Sequence, residues 1–257
     1  MKKLVLLFLL FSLIASVSIA APAREYYELR TYRFKNQEQQ QRTEAYLQKA
    51  LLPALHRIGI KKIGVFKPVE TDSTYGKKLI VLIPYRSLEE FEKTSDKLLK
   101  DNQYLADGKD YIDAAYDNPP FSRIETTVLK AFSGMPEPAI PALKAPVSER
   151  VYELRSYEGH TEKIYRNKVE MFNAGDEVGL FKRLGFNAVF YGEVIAGSTM
   201  PNLMYMTTFE NQASRDEHWK AFGGDPQWKT LSAKPEYQHN VSKNVTLFFR
   251  PASYSDL

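Results

Sequence analysis

Polar and apolar residues alternate along residues 26–33, the first regular pattern beyond the N-terminal segment. Tyr27 and Leu29 fall on one face of this stretch, and Glu28 and Arg30 fall on the other. A period of two residues is typical of a β-strand with two different faces. The pattern therefore predicts a strand that presents charged side chains on one side and apolar side chains on the other.

The next pattern has the three- and four-residue spacing of an amphipathic helix. Asn36 is a suitable N-cap, and apolar residues then recur from Tyr46 to Ile58 before Gly59 ends the helix. Pro53 lies inside this segment, where its ring removes a hydrogen-bond donor and crowds the preceding turn. We therefore expect one helix with a kink or a restart near Pro53.

The rest of the first half predicts two strands, a helix and a final strand. The strands span residues 63–69 and 79–85, the helix spans residues 88 to about 105, and the last strand spans residues 126–132. Residues 79–83 are apolar on both faces, so we expect this strand to be covered on both sides. The resulting order, βαββαβ, is that of a split ferredoxin-like unit.

The chain contains an internal repeat. The segment Tyr27–Tyr32 returns almost letter for letter as Tyr152–Tyr157 at an offset of 125 residues, and Asp101–Tyr104 matches Asp225–Trp228 at an offset of 124. Such a period indicates a duplicated domain, because solenoid units are roughly 20–50 residues long. The proline-rich stretch 133–148 is a suitable linker. We therefore predict two domains, over residues 24–132 and 149–257.

The second domain repeats the order of elements found in the first. Asp225 and Pro226 suit an N-cap and a first helical turn, so we expect a new short helix to start there. The remaining pattern predicts a helix within residues 161–184, a helical region over 212–231, and strands at 150–157, 187–194, 203–209 and 241–250.

These motifs resemble the NIPSNAP family. The second half carries both Tyr-Glu-Leu-Arg-Ser-Tyr and Asp-Pro-Gln-Trp, whereas the first half keeps the strand motif and has Asp-Asn-Gln-Tyr at the second position. The first domain is thus the more divergent copy. The resemblance implies an α+β fold in which two tandem ferredoxin-like (βαββαβ) domains pack as an intramolecular dimeric α+β barrel, with the helices outside. It implies this fold rather than a particular reaction.

In such a barrel, one face of each strand meets the helices and the other faces the interior. We expect Tyr27 and Leu29 on the helix side, which directs the polar face of both repeats toward the lumen. One hypothesis is that each Glu and Arg form an ion pair that fixes the domain interface. The other is that the Arg side chains bind the carboxylate of a small ligand, with the Tyr hydroxyls as donors. The residues concerned are Glu28, Arg30, Tyr32, Glu153, Arg155 and Tyr157.

The N-terminal segment has the composition of a secretory signal peptide. Lys2 and Lys3 precede an apolar run over residues 4–14, which is shorter than the roughly 20 residues that a bilayer span needs. Small residues follow, and we expect cleavage after Ala20. The sequence thus predicts a signal peptide over residues 1–20, and an exported protein, periplasmic or extracellular, that has no membrane attachment after cleavage.

Composition narrows the chemistry further. The chain has no cysteine, so neither disulfides nor thiolate chemistry is available to an exported form. Without Lys2 and Lys3 there are 33 basic against 31 acidic residues, and this near balance argues against nucleic acid as a partner. A nucleophile motif and a phosphate loop are both absent from the sequence, so it assigns no catalytic residue.

No metal site is expected, because none of the four histidines has the spacing of a metal-ligand pair: His56, His160, His218 and His239. No cofactor is predicted either. Haem is the alternative, with His239 as the iron ligand only if the lumen is wide enough.

The leading functional hypothesis is a protein that binds a small apolar or carboxylate-bearing ligand in the barrel. A cofactor-independent oxygenase or haem-type enzyme is one alternative, and a protein–protein interaction module without a ligand is another. A lumen filled by Phe and Leu, together with an exposed apolar patch, would favour the interaction module. Assembly into a homo-oligomer stays open at the level of the sequence.

Overall fold

The structure is a computed structural model that describes residues 23–257. Within these residues, eight strands close into one barrel. They are β1 (Tyr26–Arg33), β2 (Gly64–Pro68), β3 (Lys78–Tyr85), β4 (Arg123–Ala131), β5 (Val151–Glu158), β6 (Phe190–Ala196), β7 (Asn202–Phe209) and β8 (Lys243–Pro251). The predicted signal peptide, residues 1–20, lies outside the described part of the chain.

Each half contributes four strands, and the halves meet at two seams. The order around the barrel is β1-β3-β2-β8-β5-β7-β6-β4, with β4 pairing back to β1. At one seam Phe66 of β2 lies opposite Pro251 of β8, and at the other Ala131 of β4 lies opposite Gly192 of β6. Every strand of the barrel therefore has two neighbours. The predicted fold, two tandem ferredoxin-like units forming one intramolecular barrel, is confirmed.

Most helical segments of the described chain occupy the predicted parts, and two short ones, Lys109–Ile112 and Pro235–Tyr237, lie wholly outside them. In the first half they are α1 (Gln37–Tyr46), a π-helix (Leu47–Leu51), α2 (Leu52–Arg57), α3 (Leu88–Leu98), α4 (Asn102–Asp107) and α5 (Lys109–Ile112). In the second half they are α6 (Glu162–Asn173), α7 (Glu177–Arg183), α8 (Gln212–Gly224), α9 (Pro226–Ser232) and a 3₁₀ turn (Pro235–Tyr237). No helix in residues 23–257 is long and apolar enough to cross a membrane.

The two prolines behave differently. Pro53 is the second residue of α2 and lies in a helical run that continues from α1 through the π-helix, so the helix is distorted directly before Pro53 and does not end there. Pro226 is the first residue of α9, and the Asp225 side chain caps that helix by accepting from the backbone of Gln227 and Trp228. The predicted new helix at Asp225 and Pro226 is therefore present.

The helix predicted from residue 88 to about residue 105 is broken instead. It ends at Leu98, and the Asp101 side chain accepts a hydrogen bond from the Tyr104 backbone at 3.0 Å to start α4. An Asp side chain that caps a new helix offers the backbone an alternative to continuing the old one. The break comes directly after Leu98, which packs in the same cluster as Tyr32 of β1.

The barrel interior is filled with apolar side chains. Tyr27 and Leu29 of β1 lie there, as do their counterparts Tyr152 and Leu154 of β5. The expectation that Tyr27 and Leu29 face the helices is therefore wrong. An eight-stranded barrel is just wide enough for side chains to fill, and charged groups inside it would lose their water. Other residues of this interior are Phe66, Ile80, Leu82, Leu129, Val189, Phe190, Val194, Met206 and Phe249.

The polar face of β1 and of β5 turns outward, toward the helices. Tyr32 packs in a cluster with Tyr46 of α1 and Leu98 of α3, and Tyr157 packs against the cluster that contains Phe172 of α6. The expectation that Glu28, Arg30, Tyr32, Glu153, Arg155 and Tyr157 line the lumen is therefore wrong. Strand β3 is buried along its whole length, as predicted, because the barrel interior covers one face and the helices cover the other.

Candidate functional site

Glu28 lies on the outward face of β1, and its side chain is only 3% exposed. Arg30 donates to it twice, from Nε to Oε1 at 2.8 Å and from Nη2 to Oε2 at 3.0 Å. Thr126 Oγ1 donates to Oε1 and the Tyr85 hydroxyl donates to Oε2, both at 3.1 Å. Because four donors surround the two oxygens, the buried negative charge is compensated.

Arg30 is more accessible than its partner, with 24% of its side chain exposed. Its Nη1 donates to the Tyr32 hydroxyl at 3.4 Å, so its contacts with described residues use three of its five N–H groups. Burial favours the neutral form of Arg30, but Tyr32 and Glu28 outweigh burial and raise the pKa of the guanidinium. Arg30 is therefore a charged group with spare donors.

A cavity of about 480 Å³ lies over this pair, between the strands and helices of the first repeat. We call it the first chamber. Its polar lining includes Glu28, Arg30, Tyr46, Tyr85 and Tyr104. Its apolar wall is formed by Leu51, Phe91, Leu98 and Leu99. The chamber thus presents hydrogen-bonding groups and a hydrophobic surface, the combination found in small-molecule sites.

The tyrosines of the first chamber form their own hydrogen-bonded group. The Tyr46 and Tyr104 hydroxyls are 2.8 Å apart, and the Tyr111 ring stacks on Tyr46 at 3.7 Å between centroids. Burial, followed by the nearby tyrosines, raises the pKa of Tyr46, and burial with the charge of Glu28 raises the pKa of Tyr85. These hydroxyls stay protonated at neutral pH and can donate or accept hydrogen bonds.

Glu153 is the counterpart of Glu28 in the second repeat, and its side chain is fully buried. Arg155 Nε donates to Oε1 at 2.6 Å, as in the first repeat. Two further residues come from α8. Arg215 donates from Nη2 to Oε1 at 3.0 Å and from Nε to Oε2 at 2.8 Å, and Trp219 Nε1 donates to Oε2 at 2.8 Å. Two cations therefore share one carboxylate.

Trp219 covers Arg155. The guanidinium carbon lies 3.8 Å from the centroid of the indole, which is the geometry of a cation–π stack. Arg155 Nη1 also donates to the Tyr157 hydroxyl at 3.1 Å, which is 2.8 Å from the Tyr205 hydroxyl. Burial alone raises the pKa of Glu153, but the hydrogen bond from Arg215 and the charge of Arg155 outweigh it and hold that pKa below its ordinary value.

A second buried ion pair fills the space beside Tyr157. Lys168 of α6 donates to Glu177 of α7 at 2.9 Å, and both side chains are less than a tenth exposed. Lys168 also lies over the Phe172 ring, 4.7 Å from its centroid. Burial raises the pKa of Glu177, and Lys168 offsets this only in part. By position from the helix caps, Lys168 corresponds to Thr43 in the first repeat.

The helix caps fix which residues of α3 and α8 are equivalent. Ser87 caps α3 and Asn211 caps α8, and Asp101 and Asp225 cap the helices that follow, both at an offset of 124 residues. The two segments therefore align without insertion. Phe91 corresponds to Arg215, and Ser95 corresponds to Trp219. The first repeat thus has a serine that lines the chamber at the position from which Trp219 covers Arg155 in the second repeat.

The structure brings the six sequence-predicted residues together as two groups of three, one in each repeat. The ion-pair hypothesis is correct for the Glu–Arg contacts, but each pair lies inside one repeat rather than at the domain interface. Sequence reasoning missed the partners supplied by other elements. For Arg215 and Trp219, the signal in the sequence was the alignment of the helix caps, which places them opposite Phe91 and Ser95. The missed residues are Tyr85, Ser95, Thr126, Arg215 and Trp219.

The histidines do not form a site. His239 is exposed on the surface, and the filled barrel interior leaves no space for haem beside it, so the residues present do not fit that group. His218 contacts the Ser214 carbonyl through Nδ1 at 2.6 Å, and His56 pairs with Asp256 at 2.8 Å. Within residues 23–257, no cluster of three or more His, Asp or Glu side chains could hold a metal ion.

Several solved structures share the fold. A proposed monooxygenase from Lactobacillus acidophilus superposes with a TM-score of 0.56 at 10% identity, over 89% of this chain and 94% of its own. A proposed monooxygenase from Fusobacterium nucleatum gives 0.57 at 8% identity, over 89% and 93%. An anthrone oxidase-like protein gives 0.52 at 10% identity, over 91% and 94%. Identities this low show likeness of fold alone.

The sequence comparisons agree with the duplicated architecture. A search of curated proteins finds no match to this sequence. The NIPSNAP family model matches twice, over residues 27–133 and over residues 152–256. Each match covers one four-stranded half of the barrel together with its helices. The chain therefore belongs to the NIPSNAP family, as a tandem of two NIPSNAP repeats.

Proposed function

We propose that the protein binds a small molecule in the first chamber. The observation that supports this most is the cavity of about 480 Å³ over the Glu28–Arg30 pair, at a position that Trp219 covers in the second repeat. A cavity of this volume, with an apolar wall and a few convergent polar groups, is typical of ligand sites. The ligand thus lies between the sheet and the helices, outside the barrel interior.

Charge favours a ligand with an apolar body and an uncharged polar end over one that carries a carboxylate. The positive charge of Arg30 is already balanced by Glu28 through two hydrogen bonds. Glu92 also lines the chamber and adds a negative charge. Bringing a carboxylate into this site would cost desolvation without a free cation in return. Hydroxyl, carbonyl and amide groups can use the spare donors of Arg30 at a lower cost.

The proposal includes export. Its support is the composition of residues 1–20, and the exported chain is expected to begin at Ala21. In the periplasm or outside the cell, such a protein would meet small amphipathic molecules directly. N-terminal sequencing of the mature form tests this part on its own.

An oxygenase is the second candidate, and two proteins named as monooxygenases on the same fold support it. An oxygenase without a cofactor needs a base to deprotonate its substrate. The chamber tyrosines are held protonated, and Glu28 already accepts four hydrogen bonds. The interaction module ranks third. Its criterion of a filled lumen is met, but the open chamber is better suited to a small molecule.

Native mass spectrometry of the full chain, expressed in its own host and purified from the exported fraction, tests the proposal. Wild type and Arg155→Met are expected to carry an additional small mass that Arg30→Met lacks. Arg155→Met is the matched control because it removes the same group from the covered site. An apo mass for all three proteins at several concentrations would refute ligand binding. An absorption spectrum with a Soret band would favour the haem-type alternative instead.

A further inference from the structure

The covered site of the second repeat shows what the open one can hold. The Trp219 indole lies over the Arg155 guanidinium, with 3.8 Å between the guanidinium carbon and the ring centroid, and donates from Nε1 to Glu153. The Trp219 side chain thus occupies, in the second repeat, the space that is a cavity in the first repeat. In the second repeat, an aromatic side chain of the protein itself therefore fills the site above the Glu–Arg pair.

The same place in the first chamber has room for a ring. Ser95 replaces Trp219 at the equivalent position of α3 and lines the chamber. Among residues 23–257, no aromatic ring lies over the Arg30 guanidinium, whereas the Trp219 ring lies over Arg155, its counterpart in the second repeat. The planar face of Arg30 is therefore available for stacking.

We propose that the first chamber takes a planar, uncharged aromatic molecule, stacked on the guanidinium of Arg30 in the place that Trp219 occupies over Arg155. This inference rests on the proposed binding function and narrows it to one class of ligand. The stack uses the face of Arg30, while the edge of its guanidinium stays bound to Glu28. Arginine favours such sites because its flat cation binds a carboxylate and a ring at once.

The hydrogen bonds of the chamber specify where the polar group of the ligand lies. In the second repeat, Trp219 donates to Oε2 of Glu153, but Tyr85 already donates to the corresponding oxygen of Glu28. A ligand donor therefore has no free acceptor there. The Tyr46–Tyr104 pair offers acceptors, because lone pairs of the two hydroxyl oxygens stay free in their mutual bond, and it also keeps one unused hydroxyl hydrogen that can donate to the ligand. A ring bearing one hydroxyl, carbonyl or N–H group matches this arrangement.

Charge separates the proposed ligand from an aromatic acid. The second repeat has two cations, Arg155 and Arg215, around Glu153, whereas Phe91 replaces Arg215 in the first repeat. The first chamber therefore lacks the second cation that would balance an aromatic carboxylate. It gains an apolar wall residue in exchange. An uncharged ring is favoured on both counts.

Binding titrations with three probes test the class of ligand: indole, benzoate as the aromatic acid, and cyclohexanol as an uncharged ring that is not planar. We expect indole to bind wild type at least tenfold more tightly than either of the others. Ser95→Trp should reduce indole binding at least tenfold by filling the chamber. Asp96→Trp, which places the same side chain at an exposed neighbouring position, is the matched control and should bind like wild type.

A thermal experiment covers the case in which Ser95→Trp folds poorly. Trp219→Ala should lose several degrees of thermal stability, and indole should raise its unfolding temperature by more than it raises that of wild type because it also fills the vacated space, while cyclohexanol should not. Lack of this additional rise with indole would overturn the stacking geometry.

The remaining outcomes separate the two proposals. If cyclohexanol binds wild type more tightly than indole and Ser95→Trp removes that binding, the planar aromatic class is wrong; if benzoate does so, the requirement for an uncharged ligand is wrong. In both cases the first chamber is still a binding site. If indole binding is equal in wild type and Ser95→Trp, the location is wrong. If none of the three probes binds and no mass co-purifies, both proposals are refuted.

Discussion

The two repeats carry the same Glu–Arg–Tyr sequence on the same strand and enclose it differently. In the second repeat, Glu153 accepts from two arginines and an indole, and its side chain is fully buried. In the first repeat, Glu28 is held by Arg30 and two hydroxyls, and a cavity remains above the pair. The difference comes from the helix above the strand rather than from the strand.

The two sites show that a buried Glu–Arg pair can either be part of the packed interior or remain accessible to a ligand. A carboxylate enclosed by charged and aromatic donors is part of the protein interior, and its partners have little left to offer a ligand. A carboxylate satisfied by hydroxyls keeps one arginine face exposed to a cavity. Two substitutions, Ser95 for tryptophan and Phe91 for arginine, account for most of the contrast.

The largest expected effect comes from removing the carboxylates. Glu153→Leu leaves two cations without their partner, so we expect a loss of about 4 kcal/mol in the free energy of unfolding. Glu28→Leu leaves only Arg30, which faces a cavity open to water, and should cost about 2 kcal/mol. Urea denaturation of both variants measures the difference. Equal losses would contradict the contrast between a covered and an open pair.

Truncation of the helix residues should show the same asymmetry. Trp219→Ala removes a ring that packs on Arg155 and on Phe186, and should cost about 3 kcal/mol. Ser95→Ala at the equivalent position of α3 should change stability by less than about 0.5 kcal/mol, since Ser95 is exposed. Thermal unfolding of the two variants provides the measurement, and a large cost for Ser95→Ala would assign that residue a structural role.

The pH dependence of stability should follow Glu153. Because its folded pKa is lowered, it stabilises the fold above its unfolded pKa of about 4.5, and this contribution is lost as the pH falls through the folded value. Glu153→Gln cannot titrate, so its stability should fall less steeply below pH 4.5 than that of wild type. Unfolding curves collected from pH 3 to pH 7 test this, and parallel pH profiles would disprove the assignment.

The smallest expected effect separates two threonines at matching positions of β4 and β8. Thr126 lies opposite Arg30 and donates to Glu28, whereas Thr246 lies opposite Arg155 and has no bond to Glu153 among the described contacts. Thr126→Val should therefore cost about 1 kcal/mol, and Thr246→Val close to nothing. Denaturation midpoints compared at constant slope resolve a difference of this size.

Much of the fold could be predicted because it depends on local pattern. The alternation in residues 26–33 and the strand that is apolar on both faces are local constraints, and with the repeat of Tyr27–Tyr32 they predict two βαββαβ units. The closure of these units into one barrel was implied by the family resemblance. The direction of each strand face could not be read in this way. Alternation divides residues into two sets, but only the width of the closed barrel decides which set turns inward.

The site was predicted in part for the same reason. Glu28, Arg30 and Tyr32 share one strand, so their proximity follows from the sequence alone. Their remaining partners, such as Tyr85 and Thr126, come from strands that pair with β1, and their contacts depend on register. The cavity itself depends on a residue that is small. The small side chain of Ser95 indicates a cavity only when the first repeat is aligned with the second, which has Trp219 at that position.

The two seams, where β2 pairs with β8 and β4 pairs with β6, also bear on how the two sites came to differ. A barrel assembled from two identical chains must have the same residue above both Glu–Arg pairs. A substitution that opens one chamber would then open the other as well, and the packing energy would be lost at both sites. Joining the halves in one chain lifts that constraint. One copy can keep the tryptophan and support the shared barrel, while the other gives up packing in its own helix layer and becomes free to acquire a ligand.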